Sequence, residues 1–384
     1  MAQAKSLARF LVLVFLYWFR CRAADPIEWM TEEGFAIPRP GTKFNFPRDH
    51  GSHPDFAIEW WYVTGHLFES NGVHHGFQVT FFRKSAQRLA AGGGVPEGTT
   101  FFGLEQLYLG HTALLDGTTR RFMSQERLNR AGWDANASLE GLEVHNGNWS
   151  LRASNTGSDS MELKGSIRNE ARFALSLTPR KPLVIFGTNG VSRKAREPSA
   201  ASHYLTYSRL LVEGTLRVGN RDTRVTGLAW MDHEFSSSQL GSDQVGWDWA
   251  CLQLKDGREV MAYRMRRADG TTDPFSTLAW IDAAGLVLHA SSSEFTWSPI
   301  GHWRSPSSGA DYPAEVTITC RDPATGVSRS LRLKPLAPNQ ELDGGLGGIP
   351  YWEGACQVLD ESGTEIGQSF LELTGYAGSM KGRL

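Results

Sequence analysis

The chain has 384 residues, a net charge of −2, 21% charged residues and 40% hydrophobic ones. That length suits two domains of ordinary size, and the composition is that of a globular chain rather than a disordered one. The near-neutral balance gives no electrostatic reason to expect a nucleic acid or an anionic membrane as partner.

In chain order, Lys5 and Arg9 precede the apolar run Phe10 to Phe19, and Cys21-Arg22-Ala23 follows. This is the pattern of a secretory signal peptide spanning residues 1–23, cut after Ala23. The apolar run is too short to span a bilayer comfortably. The expected location is therefore secreted or periplasmic, with no membrane span after cleavage; peripheral contact with a membrane is compatible with this. Cleavage leaves Cys251, Cys320 and Cys356, an odd number at wide spacing. That is neither a disulfide framework nor a metal knuckle. One bridge in the C-terminal half and three buried thiols both stay open.

Asp25 to Asp55 is Pro-rich and reads as an extended lead-in. Ile58 to Leu67 then alternates, with Trp60, Tyr62, Thr64 and His66 on one face and Glu59, Trp61 and Val63 on the other. Asn71-Gly72 turns it into Gly76 to Arg83, a hairpin signature. A Gly-rich loop is expected over Ala91 to Thr100, a strand over Gly103 to Leu115 and a short helix over Gln125 to Gly132. Short strands continue over Leu139 to Val144, Trp149 to Ala153, Ser160 to Ile167 and Ala171 to Leu177. After a loop over Gly187 to Ser202 come His203 to Leu211, Gly214 to Val218 and Thr223 to Asp232. The Ser- and Gly-rich stretch Phe235 to Val245 marks a domain boundary, giving domains 24–240 and 241–384. Beyond it, Asp256-Gly257 and Asp269-Gly270 turn a meander that starts at Gly246 to Leu254. Further strands are expected through Glu315 to Cys320, Trp352 to Leu359 and Phe370 to Tyr376. No sustained helical periodicity occurs, so the fold class is all-β, with antiparallel barrels or sandwiches.

The sequence lacks a Gly-x-Ser-x-Gly elbow, a phosphate-binding Gly-rich turn, His-Glu-x-x-His and paired Cys-x-x-Cys. Acids set in aromatic strands remain: Glu59, Asp232, Glu234, Asp248, Glu353 and Glu372. Glu59, Asp248 and Glu372 read as structural acids that pair with Arg or accept turn amides. In Leu228 to Phe235, alternation puts Trp230, Asp232 and Glu234 on one face and Met231 and His233 on the other. Neighbours that face apart do not make a metal site, and no metal or cofactor is expected. A buried carboxyl beside an indole and without a cation would stay protonated and act as a proton donor.

Several runs carry a resemblance: Glu59-Trp60-Trp61-Tyr62-Val63-Thr64-Gly65-His66-Leu67, Trp230-Met231-Asp232-His233-Glu234, Gly246-Trp247-Asp248-Trp249 and Tyr351-Trp352-Glu353-Gly354-Ala355. So does Leu371-Glu372-Leu373-Thr374-Gly375-Tyr376. The chain resembles, from about Phe46 to Met380, the secreted tandem lipocalin-like proteins often labelled predicted secreted hydrolases. These are related to carotenoid 1,2-hydratases and fungal Diels-Alderases. The resemblance implies two lipocalin-like antiparallel β-barrel domains packed together, with an apolar isoprenoid or lipid-like ligand within or between them. It also implies a hydro-lyase in which Asp232 is the proton donor and His203 belongs to the active site. Leu205 and Trp230 depart from the hydratase pattern, which argues against a carotenoid as such. The expected catalytic set is Asp232, His203 and Glu234, with Trp230, Trp247, Trp249, Trp61 and Tyr62 around the substrate. A non-catalytic lipid carrier and a cyclase that only folds a polyene are the alternatives.

Overall fold

The computed structural model describes residues 29–85, 106–155, 159–346 and 348–380. The signal-like segment 1–23 and the Gly-rich loop Ala91 to Thr100 lie outside the described residues.

The turn signals of the first half produce β1 (Ile58–Glu69), β2 (His74–Ser85), β3 (Gln106–Leu115), β4 (Phe122–Arg130), β5 (Ala135–Ala137), β6 (Glu143–Asn146) and β7 (Trp149–Ala153). They continue as β8 (Met161–Ile167), β9 (Ala171–Pro179), β10 (Val184–Ile185), β11 (Ser192–Arg193), β12 (Ala201–Val218) and β13 (Arg221–Ser238). All join one sheet in the order β4-β3-β2-β1-β13-β12-β9-β8-β7-β6-β5, with β10 and β11 paired to β12. The second half gives β14 (Gln244–Leu254), β15 (Glu259–Arg267), β16 (Thr277–Ile281), β17 (Val287–Ser291) and β18 (Phe295–Arg304). It ends with β19 (Asp311–Arg321), β20 (Ser328–Pro335), β21 (Glu341–Leu342), β22 (Tyr351–Leu359) and β23 (Glu365–Leu373). These form a separate sheet in the order β17-β16-β15-β14-β23-β22-β20-β19-β18, with β21 on β22. The architecture is two lipocalin-like antiparallel barrels, the first nearly closed and the second a half-barrel. The first sheet ends at Ser238 and the second begins at Gln244.

Two expectations need correction. The segment expected as a helix, Gln125 to Gly132, lies largely in strand β4. Its charged residues are good helix formers, but pairing Leu109 with Leu128 and Leu107 with Arg130 along β3 overrides that weak local preference. Strand β18 was not anticipated; most of its side chains are exposed, so it lacks an apolar alternation to read. The three cysteines are free and buried.

Alternation sorts the side chains into three apolar bodies. One fills the first barrel, around Trp61, Val63, Phe77, Phe81, Trp149 and Met231. Another fills the second, around Leu252, Trp280, Tyr312, Ile318 and Val358. The third lies between the sheets and draws Tyr62, Tyr204 and Trp230 from the first and Trp249, Tyr263 and Phe370 from the second. The sheets touch where β1 and β2 meet β22 and β23. A Cβ added at Gly76 would lie 2.5 Å from the Ala355 Cβ, so that approach requires glycine. An ionic knot also joins the halves: Lys181 and Arg209 reach Glu259, each at 2.5 Å.

Candidate active site between the sheets

A cavity of about 350 Å³ opens on the outer face of the first sheet, under the second. Each barrel carries its own apolar interior cluster, and this cavity lies between the barrels rather than within either. The register explains its lining. From β12 to β4 one cross-strand row reads Thr206, Asp232, Tyr62, Thr80, His111, Glu126. Two residues along the strands, the next row reads Tyr204, Glu234, Trp60, Phe82, Leu109, Leu128. The facing wall carries the row Tyr263, Trp249, Glu372, Glu353 across β15, β14, β23 and β22. Side chains two residues apart share a face, so each row points as a unit into the same space.

Asp232 is 3% exposed. Its Oδ1 accepts from Trp230 Nε1 at 2.7 Å and from Thr206 Oγ1 at 2.6 Å, and its Oδ2 accepts from Tyr204 OH at 2.8 Å. Tyr204 OH in turn accepts from Trp249 Nε1 at 3.0 Å, so this chain crosses from the second sheet to the first. All of these donors are neutral. Burial pushes the Asp232 carboxyl up to about 7, and the three hydrogen bonds pull against it without restoring an ordinary value. Glu234 sits beside it and forms a buried ion pair with Lys194 at 3.3 Å. The Lys194 ammonium also lies 4.8 Å above the Tyr204 ring and 4.2 Å above that of Tyr263.

Trp247, Trp249 and Tyr62 line the cavity. Trp230 stands behind the wall, holding Asp232 and meeting Trp249 edge-on at 6.3 Å. His203 and Trp61 are not brought to the site. His203 pairs with Phe235 on β13, one residue out of step with the row of Tyr204 and Glu234. Its Nδ1 meets the Gly190 carbonyl at 2.7 Å, and its ring packs edge-on against Phe44 at 5.2 Å. Trp61 turns into the first barrel, where it stacks on His233 at 4.8 Å and donates to the His50 carbonyl. Strand parity excludes it, because Tyr62 is on the cavity side.

Residues not singled out as site residues also reach the cavity: Trp60, Tyr204, Lys194, His111, Tyr351, Glu353 and Glu372. His111 Nδ1 and Tyr351 OH are 2.7 Å apart, a second polar link between the sheets. Trp247 Nε1 donates to Glu372 Oε2 at 3.0 Å. Glu353 is 1% exposed and its Oε1 closes no hydrogen bond among the described residues, although Tyr62, Gln78 and Tyr351 face it.

The other strand acids differ. Asp248 meets Arg266 at 2.9 Å and Arg264 at 3.5 Å. Glu59 meets Arg83 at 2.8 Å, inside the first barrel. His53, Glu59 and His233 bring ligand-type atoms within 4.8 Å of one another, but the Arg83 guanidinium already supplies the positive charge there.

A model of the AttH-like family matches residues 37–376. Among solved structures, a candidate AttH from Nitrosomonas europaea superposes with a TM-score of 0.78 at 32% identity, covering 89% of this chain and 99% of that one. Kievitone hydratase from Nectria haematococca superposes with a TM-score of 0.62, covering 91% of this chain and 96% of its own. At 13% identity that likeness shows the shared fold alone. No curated protein matches the chain.

Proposed function

The chain belongs to the AttH-like family, and from that premise we propose that its inter-sheet cavity takes up a neutral isoprenoid-like ligand and hydrates an isolated carbon–carbon double bond by acid catalysis. The observation that carries this reading is Asp232, a buried carboxyl on an aromatic cavity wall that forms no ion pair among the described residues. Its value of about 7 keeps a large fraction protonated near neutral pH, which suits a general acid. Trp230 N–H only donates, and the Tyr204 hydroxyl, already accepting from Trp249, has its own proton to give. The transferable proton therefore sits on the remaining lone pair of Oδ2 or faces Thr206. Donation to the less substituted alkene carbon leaves a tertiary carbocation, for which the faces of Trp60 and Trp249 offer stabilisation. That a neighbour of the same fold is a hydratase supports the reading by analogy only. The signal-like N-terminus supports action after export.

The test is turnover of farnesol, a neutral acyclic isoprenoid, in deuterium oxide. Hydration places one deuterium on carbon and yields a tertiary alcohol. Asp232→Asn is expected to lower kcat by about 10²–10⁴-fold; unchanged turnover would remove Asp232 from the chemistry. Carriage of an unmodified lipid is the second reading. The apolar side chains Leu107, Leu109, Leu128 and Leu346 along the cavity favour it. Mass spectrometry of co-purified ligand separates the two, because a carrier retains an unmodified lipid at unit stoichiometry.

A further inference from the structure

Glu353 and Glu372 are directly opposed across β22 and β23, and both face the cavity. Opposed residues on antiparallel strands hold their Cβ atoms about 5 Å apart, so two ionised carboxylates there repel strongly once water is excluded. Among the described residues no arginine or lysine is ion-paired with either. The charged and titratable groups around them are Asp232 and Glu234 on β13, Lys194, Tyr62 on β1, His111 on β3, Tyr204 on β12, Tyr263 on β15 and Tyr351 on β22, and the Cys251 thiol on β14 interacts with Glu353. Lys194 is already engaged by Glu234, and Asp248, on the other face of β14, is held by Arg264 and Arg266. Glu372 has one fixed donor, Trp247, whereas the Glu353 Oε1 closes no hydrogen bond among the described residues and only the neutral groups of Tyr62, Gln78 and Tyr351 face that carboxyl.

We propose that Glu353 and Glu372 hold a single proton between them and that Glu372 accepts the proton released by the attacking water. The inference rests on the hydration reading above and assigns its missing base. Desolvation, followed by repulsion from Glu372, raises Glu353 well above the usual carboxylate range, so Glu353 is the member that keeps the proton. Desolvation raises Glu372 to about 7, with the Trp247 hydrogen bond opposing it, which is where a base working near neutral pH belongs. Glu353 is then a positioning residue, and Glu372 a catalytic one.

The protons and electrons balance. The Asp232 O–H bond breaks, and the alkene π pair forms the new C–H bond. A lone pair of water forms the C–O bond at the cationic carbon, and a water O–H bond breaks to give its proton to Glu372. Transfer of that proton back to Asp232 restores the resting state. The net change is alkene plus water to alcohol.

The test has a substrate-free arm and a catalytic arm, both on the whole chain. Isotope-edited infrared spectra of glutamate-labelled protein should show one protonated carboxylic acid at neutral pH. Glu353→Gln should remove that band. Glu372→Gln should also remove the shared titration, leaving Glu353 alone. With farnesol, Glu372→Gln should lower kcat by about 10²–10³-fold with KM near the wild-type value. Glu353→Gln, a neutral mimic of the protonated partner, should retain most turnover while shifting the pH profile. Two ionised glutamates in the wild type, or wild-type kcat in Glu372→Gln, would overturn the proposal. If Asp232→Asn abolishes turnover while Glu372→Gln does not, the hydration reading stands and this inference falls. If the wild type is inert on farnesol, the acceptor role falls with the hydration reading, and the infrared band then decides the shared proton alone.

Discussion

Glu59 and Asp232 lie on neighbouring strands of the same sheet, both almost fully hidden, yet on opposite faces and in opposite states. Burial pushes Glu59 up, but Arg83, with His233 and His53, outweighs it and holds the carboxyl well below the ordinary range. Burial pushes Asp232 up as well, and three neutral donors do not reverse it. Hydrogen bonds from neutral groups alone, even three of them, do not return a dry carboxyl to its ordinary value here, whereas a guanidinium together with two imidazoles holds one below it. One sheet thus holds its inner acid as the ionised partner of Arg83, while burial favours the protonated form of its outer acid.

The comparison is most directly broken by stability measurements. Glu59→Gln leaves the buried Arg83 without its counter-charge and should cost about 3–5 kcal/mol in urea unfolding. Asp232→Asn should cost far less, because it forms no ion pair among the described residues; equal losses would erase the distinction. The pH dependence should differ in sign. For Glu59 the folded value is depressed, so its contribution is present above the unfolded value of about 4.3 and is lost as pH falls below it. For Asp232 the folded value of about 7 exceeds the unfolded one. Stability from that group therefore declines by about 1.4 kcal/mol per pH unit between about 3.9 and about 7. Asp232→Asn should flatten that decline when stability is followed across this window.

Smaller effects sharpen the picture. Gly76→Ala should cost about 1–3 kcal/mol by overpacking the contact with Ala355 and prising the sheets apart. It should also weaken ligand uptake, read by fluorescence titration with farnesol. Trp60→Phe should weaken farnesol binding by about 1 kcal/mol, while Trp61→Phe should leave it unchanged. Equal effects would mean that strand parity does not divide the cavity from the core.

Much of this was legible residue by residue. Alternation in Ile58 to Leu67 and in Leu228 to Phe235 separates the cavity face from the barrel face correctly, and that same rule excludes Trp61 and, through its pairing with Phe235, His203. The resemblance to relatives pointed to His203, whereas its strand position turns it toward Phe44 and the Gly190 carbonyl. Glu353 and Glu372 stand out in the sequence, but their opposition does not. Counting outward from Leu359 and Glu365, the pair nearest the turn, misses it by one, because a bulge between Val358 and Leu359 shifts the ladder. A one-residue slip sends a side chain to the other face, so local spacing could not find the pair. Lys194 lies outside any strand, and only the folded chain brings it to Glu234.

The cavity's position between two barrels separates two jobs that a ligand-filled barrel must combine. Altering a cavity wall inside a single barrel removes packing from the core that folds it. Here the walls are outer faces, and the apolar interiors behind them remain complete. Residues such as Trp60, Phe82, Leu109 and Leu128 can therefore diversify for a new guest at modest thermodynamic risk. A scaffold of this kind is free to explore chemistry without renegotiating its fold.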